Sequence, residues 1–227
     1  MAARPPRLED IGEEFAIFPL AGALLLPHGK LPLNIFEPRY LAMVEDSLAG
    51  GRMFGMIQPD THLQHSAFGP GLFRIGCLGR VSSFSEAEDG RFLITLTGLI
   101  RFSVVEELAM CRGYRRVRAS CAGFAADLDA VRPVSTVSRA ELLRALRAYF
   151  ARLGIDANWD AINQMRDDML VITLCMICPF KPMEKQALLE SRTPADRAAA
   201  LLVLLEMAAK GPQDGGQNDG ASGPLMN

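Results

Sequence analysis

Leu31-Pro32-Leu33-Asn34-Ile35-Phe36-Glu37-Pro38-Arg39-Tyr40 is the stretch that decides how the chain folds. Leu31, Leu33 and Ile35 alternate with Pro32 and Asn34, the period of a strand with one buried face. Pro38 has its φ preset for a helical first turn, where its missing N–H costs nothing. Glu37 places negative charge at that helix's N-terminus. Tyr40, Leu41, Met43, Val44 and Leu48 follow at helical spacing, with Glu45 and Asp46 on the other face. Gly50-Gly51 stops the helix.

Before this stretch, residues 1–13 are polar and proline-containing and are expected to be a loose arm. Phe15-Ala16-Ile17-Phe18 reads as a strand stopped by Pro19, and Ala23-Leu24-Leu25-Leu26 leads into a turn at Pro27-His28-Gly29-Lys30. After it, Met53 to Ile57 has the composition of a buried strand. Residues 60–71 form a polar loop. Leu72 to Val81 reads as a long strand bent at its glycines. Glu88-Asp89-Gly90 is a hairpin turn, and Phe92, Ile94 and Leu96 alternate beyond it. Gly98 interrupts the pattern, which resumes at Ile100–Val105, and Tyr114–Cys121 is one more strand. The expectation is a half built of bent antiparallel strands with one helix inserted.

The period turns helical after a connector that contains Pro133. Ser138-x-x-Glu141 reads as a capping box, followed by a stripe through Leu142, Leu146, Tyr149 and Phe150 to Gly154. Asn158 or Asp156 caps a second helix running to Pro179. Pro182 starts a short helix over Glu184–Leu189, and Thr193-Pro194-x-Asp196 starts the last. The division predicted is an arm (1–13), a β-rich unit (14–125), a helical unit (126–210) and a disordered tail (211–227).

With 227 residues, 49% hydrophobic and 22% charged, the composition is that of a globular protein. The formal net charge of −2 gives no general reason to bind nucleic acid. Arg112-Gly113-Tyr114-Arg115-Arg116-Val117-Arg118 is a local basic cluster, read as a solvated strand face. Five cysteines, an odd number, argue against a disulfide framework. The acidic residues Glu9, Asp10, Glu13 and Glu14 stand where a signal peptide needs an apolar core. The longest apolar run, Met169 to Phe180, falls short of the ~20 residues that span a bilayer. A cytoplasmic setting is expected.

Phe18-Pro19-Leu20, Leu26-Pro27 and the run from Leu31 to Tyr40 resemble the opening of the Lon protease N-terminal, substrate-binding domain in its free-standing bacterial form. Gly76-Cys77-Leu78-Gly79-Arg80, Asp89-Gly90-Arg91, Gly98-x-x-Arg101-Phe102 and Tyr114-Arg115 extend the likeness. So does Glu184-Lys185-Gln186-Ala187-Leu188-Leu189-Glu190, and roughly residues 14–208 are covered. The resemblance implies an α+β fold: a PUA-like barrel with one inserted helix, then a helical bundle. It offers no counterpart of Lon's ATPase or protease modules.

The residues themselves offer little chemistry. Cys175-x-x-Cys178 lacks a second ligand pair for zinc and sits in an apolar helix, as core thiols do. His62-x-x-His65 with Asp60 has a spacing common by chance, so no metal or other cofactor is expected. No serine or cysteine has a base in sequence reach, and there is no phosphate loop. An enzyme is therefore not expected. Glu37 and Arg39 are expected to form a partly buried ion pair, with Arg101 nearby, that locks the Pro38 helix onto the sheet. Leu20, Leu26, Pro27, Phe36, Arg39 and Tyr40 are the candidate peptide-binding residues, because Leu24-Leu25-Leu26 cannot all face inward if extended. The partners expected are unfolded or extended polypeptides, with a protease or chaperone alongside. Two alternatives remain. One is a small-ligand or enzymatic cleft using Glu37, Arg39, Tyr40 and Arg101. The other is RNA binding through Arg115, Arg116 and Arg118.

Overall fold

A computed structural model of the protein describes residues 7–129 and 137–211. Its strands are β1 (Glu14–Pro19), β2 (Lys30–Ile35), β3 (Met53–Ile57), β4 (Ile75–Glu86), β5 (Phe92–Cys111) and β6 (Tyr114–Ser120). Its α-helices are α1 (Pro38–Ala49), α2 (Arg139–Leu153), α3 (Trp159–Gln164), α4 (Asp167–Ile177), α5 (Pro182–Glu190) and α6 (Pro194–Lys210). The class is α+β. The sheet runs β2-β5-β4-β3-β1-β6, and β6 pairs again with β5, so five strands close into a ring with β2 outside it. Closure removes the two exposed edges that an open five-stranded sheet would otherwise carry. One expectation is corrected here: β1 and β3 pair parallel, with Ile17 opposite Gly55, because α1 carries the chain back between them.

β5 runs unbroken for 20 residues through Gly98, where an interruption was expected. The glycine serves a close approach instead. A Cβ there would collide with the carbonyl oxygen of Leu26, so only glycine lets the preceding loop cross the strand at this point. His28 N donates to Gly98 O and Gly98 N to Gly29 O, both at 2.9 Å, fixing the loop. Leu24, Leu25 and Leu26 are consequently all buried. The exposed patch expected at Leu26 does not exist, since the segment is a loop wrapped on the sheet rather than an extended strand.

The strand-to-helix transition is as the sequence implies. Glu37 occupies the N-cap, Pro38 opens α1, and Tyr40, Met43 and Val44 are buried. Tyr114 Oη donates to Asp46 at 2.8 Å and Arg112 bridges Glu45 and Asp46, holding α1 against the β5–β6 turn. Of the expected arm, Leu8–Asp10 form a 3₁₀ turn and Ile11 is buried against the barrel interior, while residues 1–6 lie outside the described residues. The tail from residue 212 lies outside them too.

Among the helices, Ser138 takes the N-cap of α2 without the expected side-chain bond. Asn158 caps α3 by accepting from Ala161 N at 3.0 Å. The single helix expected up to Pro179 is two, α3 and α4, because Met165 and Arg166 adopt extended backbone. Thr193 and Asp196 close a reciprocal capping box at the start of α6.

The boundary expected near residue 125 falls inside a 3₁₀ segment, Ala122–Leu128. The larger apolar cluster draws on both sides of it, from Phe18, Leu25 and Met43 to Leu146, Leu174 and Leu201. A smaller cluster, with Ile17, Ile100, Phe102 and Val117, fills the barrel.

Polar bonds also join barrel to helices. Arg101, 5% exposed, makes a bidentate pair with Asp127 at 2.8 and 2.9 Å. Its remaining nitrogen donates to Leu189 O and Ser191 O at the end of α5. Lys185 donates to Gly22 O and Met176 O, and Gln58 donates to Pro182 O and Gln186 Oε1. This corrects the Glu37–Arg39–Arg101 expectation. Glu37 and Arg39 pair with each other at 2.7 Å in solvent, while Arg101 is committed elsewhere. Asp127→Ala should therefore cost ~3–5 kcal/mol, since it strands a buried guanidinium. Glu37→Ala should cost less than ~1 kcal/mol, as exposed pairs do. Urea unfolding of the two variants checks this, and equal losses would contradict it.

Asp168, at the start of α4, is buried and accepts from Arg166 and from Met169 N. The Arg166 bond, with help from that backbone N–H, holds its carboxyl below the ordinary 3.8. A carboxylate depressed on folding stabilises above its ordinary value and loses that contribution as pH falls through its folded one. Asp168→Asn should cost about 1 kcal/mol at neutral pH, and the gap from the parent protein should narrow below about pH 4. Thermal melts at a series of pH values read this out.

Candidate functional site

Where β3 ends and β4 begins, residues 58–74 leave the barrel and return. Asp60 N donates to Gly71 O at 2.8 Å and Phe73 N to Gln58 O at 3.1 Å, so the neck of the loop is a short antiparallel pair. Arg115, held by Glu107 at 2.6 Å, donates to Pro70 O at 2.8 Å and pins the returning limb to the barrel. Gly71 leaves room where a Cβ would strike the Leu63 side chain, and Leu63 folds over it while staying 52% exposed.

On the other side stands the C-terminal end of α5. Gln186 Nε2 donates to Ile75 O at 3.0 Å and to Glu190 Oε1 at 2.7 Å. Amide bonds thus set Glu190 beside the first residue of β4. Between loop and helix lies an open groove of about 610 Å³, lined by Asp60, Leu63, Leu72, Phe73, Arg74, Ile75, Ser103 and Glu190. Its apolar walls come from Leu63, Leu72, Phe73 and Ile75, and its charges from Asp60, Arg74 and Glu190. Ser103 is the single hydroxyl of the lining, and no histidine is among the lining residues.

The residues nominated from sequence are not brought together. Leu26, Pro27 and Tyr40 are buried, Leu20 is half-buried, and only Phe36 and Arg39 are exposed. Phe36 is 64% exposed, and Arg39 lies over the Tyr40 ring at 4.6 Å. None of Glu37, Arg39, Tyr40 and Arg101 lines the groove. Of the arginines nominated for RNA, Arg115 bonds Glu107, Arg116 bonds Glu14, and Arg118 bonds Glu14 and Glu106. Each is already neutralised by a carboxylate.

Among the described residues no three His, Cys, Asp or Glu groups converge as metal ligands, His62 and His65 included. All five cysteines are free. Burial pushes the thiols of Cys175 and Cys178 up to about 12, which makes them inert core groups. No helix among the described residues is long and apolar enough to cross a membrane. The sequence reading missed the groove because residues 60–71 are mostly polar, glycine and proline. The available signal was Leu63, one of two bulky apolar residues, with Phe68, inside that run.

Comparison with known proteins agrees with this architecture. The solved structure of a Lon N-terminal domain protein from Xanthomonas campestris superposes with a TM-score of 0.54 at 23% identity, covering 84% of this chain and 97% of that one. The N-terminal domain of Mycobacterium avium complex Lon protease gives 0.57 at 14% identity, covering 85% and 97%. Among curated proteins, Lon protease of Azorhizobium caulinodans is 22% identical over 206 residues, 89% of this chain and 24% of that protein. Lon protease 2 of Myxococcus xanthus is 26% identical over 108 residues, 46% of this chain and 13% of that protein. The chain therefore spans a quarter or less of these relatives' length. A family model for the ATP-dependent protease La (LON) substrate-binding domain matches residues 14–207, and the chain belongs to that family.

Proposed function

We propose that the protein is a non-catalytic module that holds unfolded or extended polypeptide segments, using the groove between the 58–74 loop and the end of α5. The observation that carries this reading is the groove itself: open to solvent and walled by Leu63, Leu72, Phe73 and Ile75, in a substrate-binding family. Client side chains would leave water for those walls, giving non-directional attraction without sequence stringency. Such binding is weak and degenerate, as suits a holding module that passes segments to a separate protease or chaperone.

Phe36 offers a second apolar contact. The β2–β5 register sets Leu93, 48% exposed, opposite Asn34, two residues before Phe36 and on the face turned away from the core. β2 is the end strand of its sheet, and Pro32 at its centre lacks an N–H, which blunts strand addition there. Side-chain contact rather than β-augmentation is the mode proposed. The same reading places the protein in the cytoplasm, where its free thiols stay reduced.

Fluorescence anisotropy with a labelled, reduced and alkylated unfolded protein tests the proposal. Binding is expected below ~100 μM, and Leu63→Asp should weaken it about tenfold without lowering the melting temperature, because Leu63 is already half in solvent. Phe36→Asp should have the smaller effect. An absence of binding at that concentration, or indifference to Leu63→Asp, overturns the groove as the site.

A further inference from the structure

We infer that the groove selects segments carrying a lysine or arginine, seating the aliphatic stem on its apolar wall and the charged head between Asp60 and Glu190. This rests on the groove being the polypeptide site and adds which segments it prefers.

The argument starts from the two carboxylates. Asp60 Oδ1 accepts from His62 N at 2.9 Å, and Glu190 Oε1 accepts from Gln186 Nε2 at 2.7 Å. These bonds orient each group and leave one oxygen of each without a partner among the described residues. No basic side chain lies within ion-pair distance of either carboxylate among the described residues. Other described carboxylates are also unpaired, but these two are the ones that line the groove.

Two oriented, unneutralised carboxylates thus flank an apolar wall. That combination fits a long basic side chain, whose methylenes cover apolar surface while its head stays at the polar rim. An arginine head adds a planar fork that a carboxylate accepts in two bonds. Arg74 is the one cation of the lining, and it is likewise unpaired among the described residues. It leaves the lining one negative charge in excess. It also offers a donor to a client carbonyl or acidic neighbour, which favours mixed basic and apolar segments over polycations.

Two labelled peptides of identical apolar composition, one with a central arginine and one with glutamate in its place, test the inference against the intact protein. The arginine peptide is expected to bind about fivefold more tightly, and the ratio should shrink as salt is raised. Asp60→Asn with Glu190→Gln should bring the ratio close to one while leaving the glutamate peptide's affinity unchanged or improved. Melting temperatures of the double variant confirm that it is folded. Equal binding of the two peptides, both sensitive to Leu63→Asp, overturns the charge preference and leaves the polypeptide groove standing. Failure of both peptides to bind overturns the groove reading as well. A preference that survives in the double variant places the basic head elsewhere and also overturns the inference.

Discussion

Arg101 is the hinge pin of the molecule. It rises from the middle of β5, pairs with Asp127 in the connector, and passes on to two carbonyls at the end of α5. One side chain thereby ties barrel, connector and helices at a point where water is excluded. Removing it leaves two carbonyls without its donors and the Asp127 carboxylate with only the backbone N–H of residue 101, and the position of Glu190 depends on the same helix end. Lys185 and Gln186 repeat the device about one turn earlier in α5, each bonding to backbone of a different element. Burial lowers the Lys185 pKa, yet its ammonium is held by two carbonyls rather than a carboxylate. Such bonds add little net stability each, but leaving any one unmade is costly. They therefore fix how the helices sit on the barrel, while the shared apolar core supplies most of the attraction.

That arrangement explains why a segment reading Glu184-Lys185-Gln186-Ala187-Leu188-Leu189-Glu190 is so polar for a helix packed on α4, α6 and β4. Lys185 and Gln186 face inward with Leu188 and Leu189. Amphipathic reasoning puts the two polar residues outside, whereas they are the connectors. The groove then follows from helix placement. Its floor belongs to the barrel, its far rim to a loop clamped by Arg115, and its near rim to α5. A change in the docking of α5 would move Glu190 relative to Asp60 and alter the site without touching its lining.

Local signals were legible wherever backbone chemistry is local. Pro38 after Glu37, Thr193 with Asp196, Asn158, and the alternation from Phe92 to Leu96 each set their own elements. Legibility failed where a distant partner decides. Arg101 has no sequence mark that points to Asp127 rather than Glu37, because the separation is 26 residues and the connector carries no pattern. Leu24 to Leu26 were misjudged because their burial requires Gly98 to make room 72 residues away. The parallel pairing of β1 with β3 was equally hidden, since a buried strand reads the same in either direction. The groove was the least legible feature: its lining comes from four separate segments, and what unites them is the return path of one loop.

The ring closes through β1 and β6, with Glu14 reaching Arg118 across 104 residues of chain. Ribosomes add roughly 5–20 residues per second, so β1 emerges about 5–20 s before the strand that covers its second edge. Until β6 emerges, the N-terminal strand can pair with β3 on one side, once that strand is made, and with nothing on the other. A protein that by the present reading holds unfolded or extended chains passes through a similarly exposed state during its own synthesis.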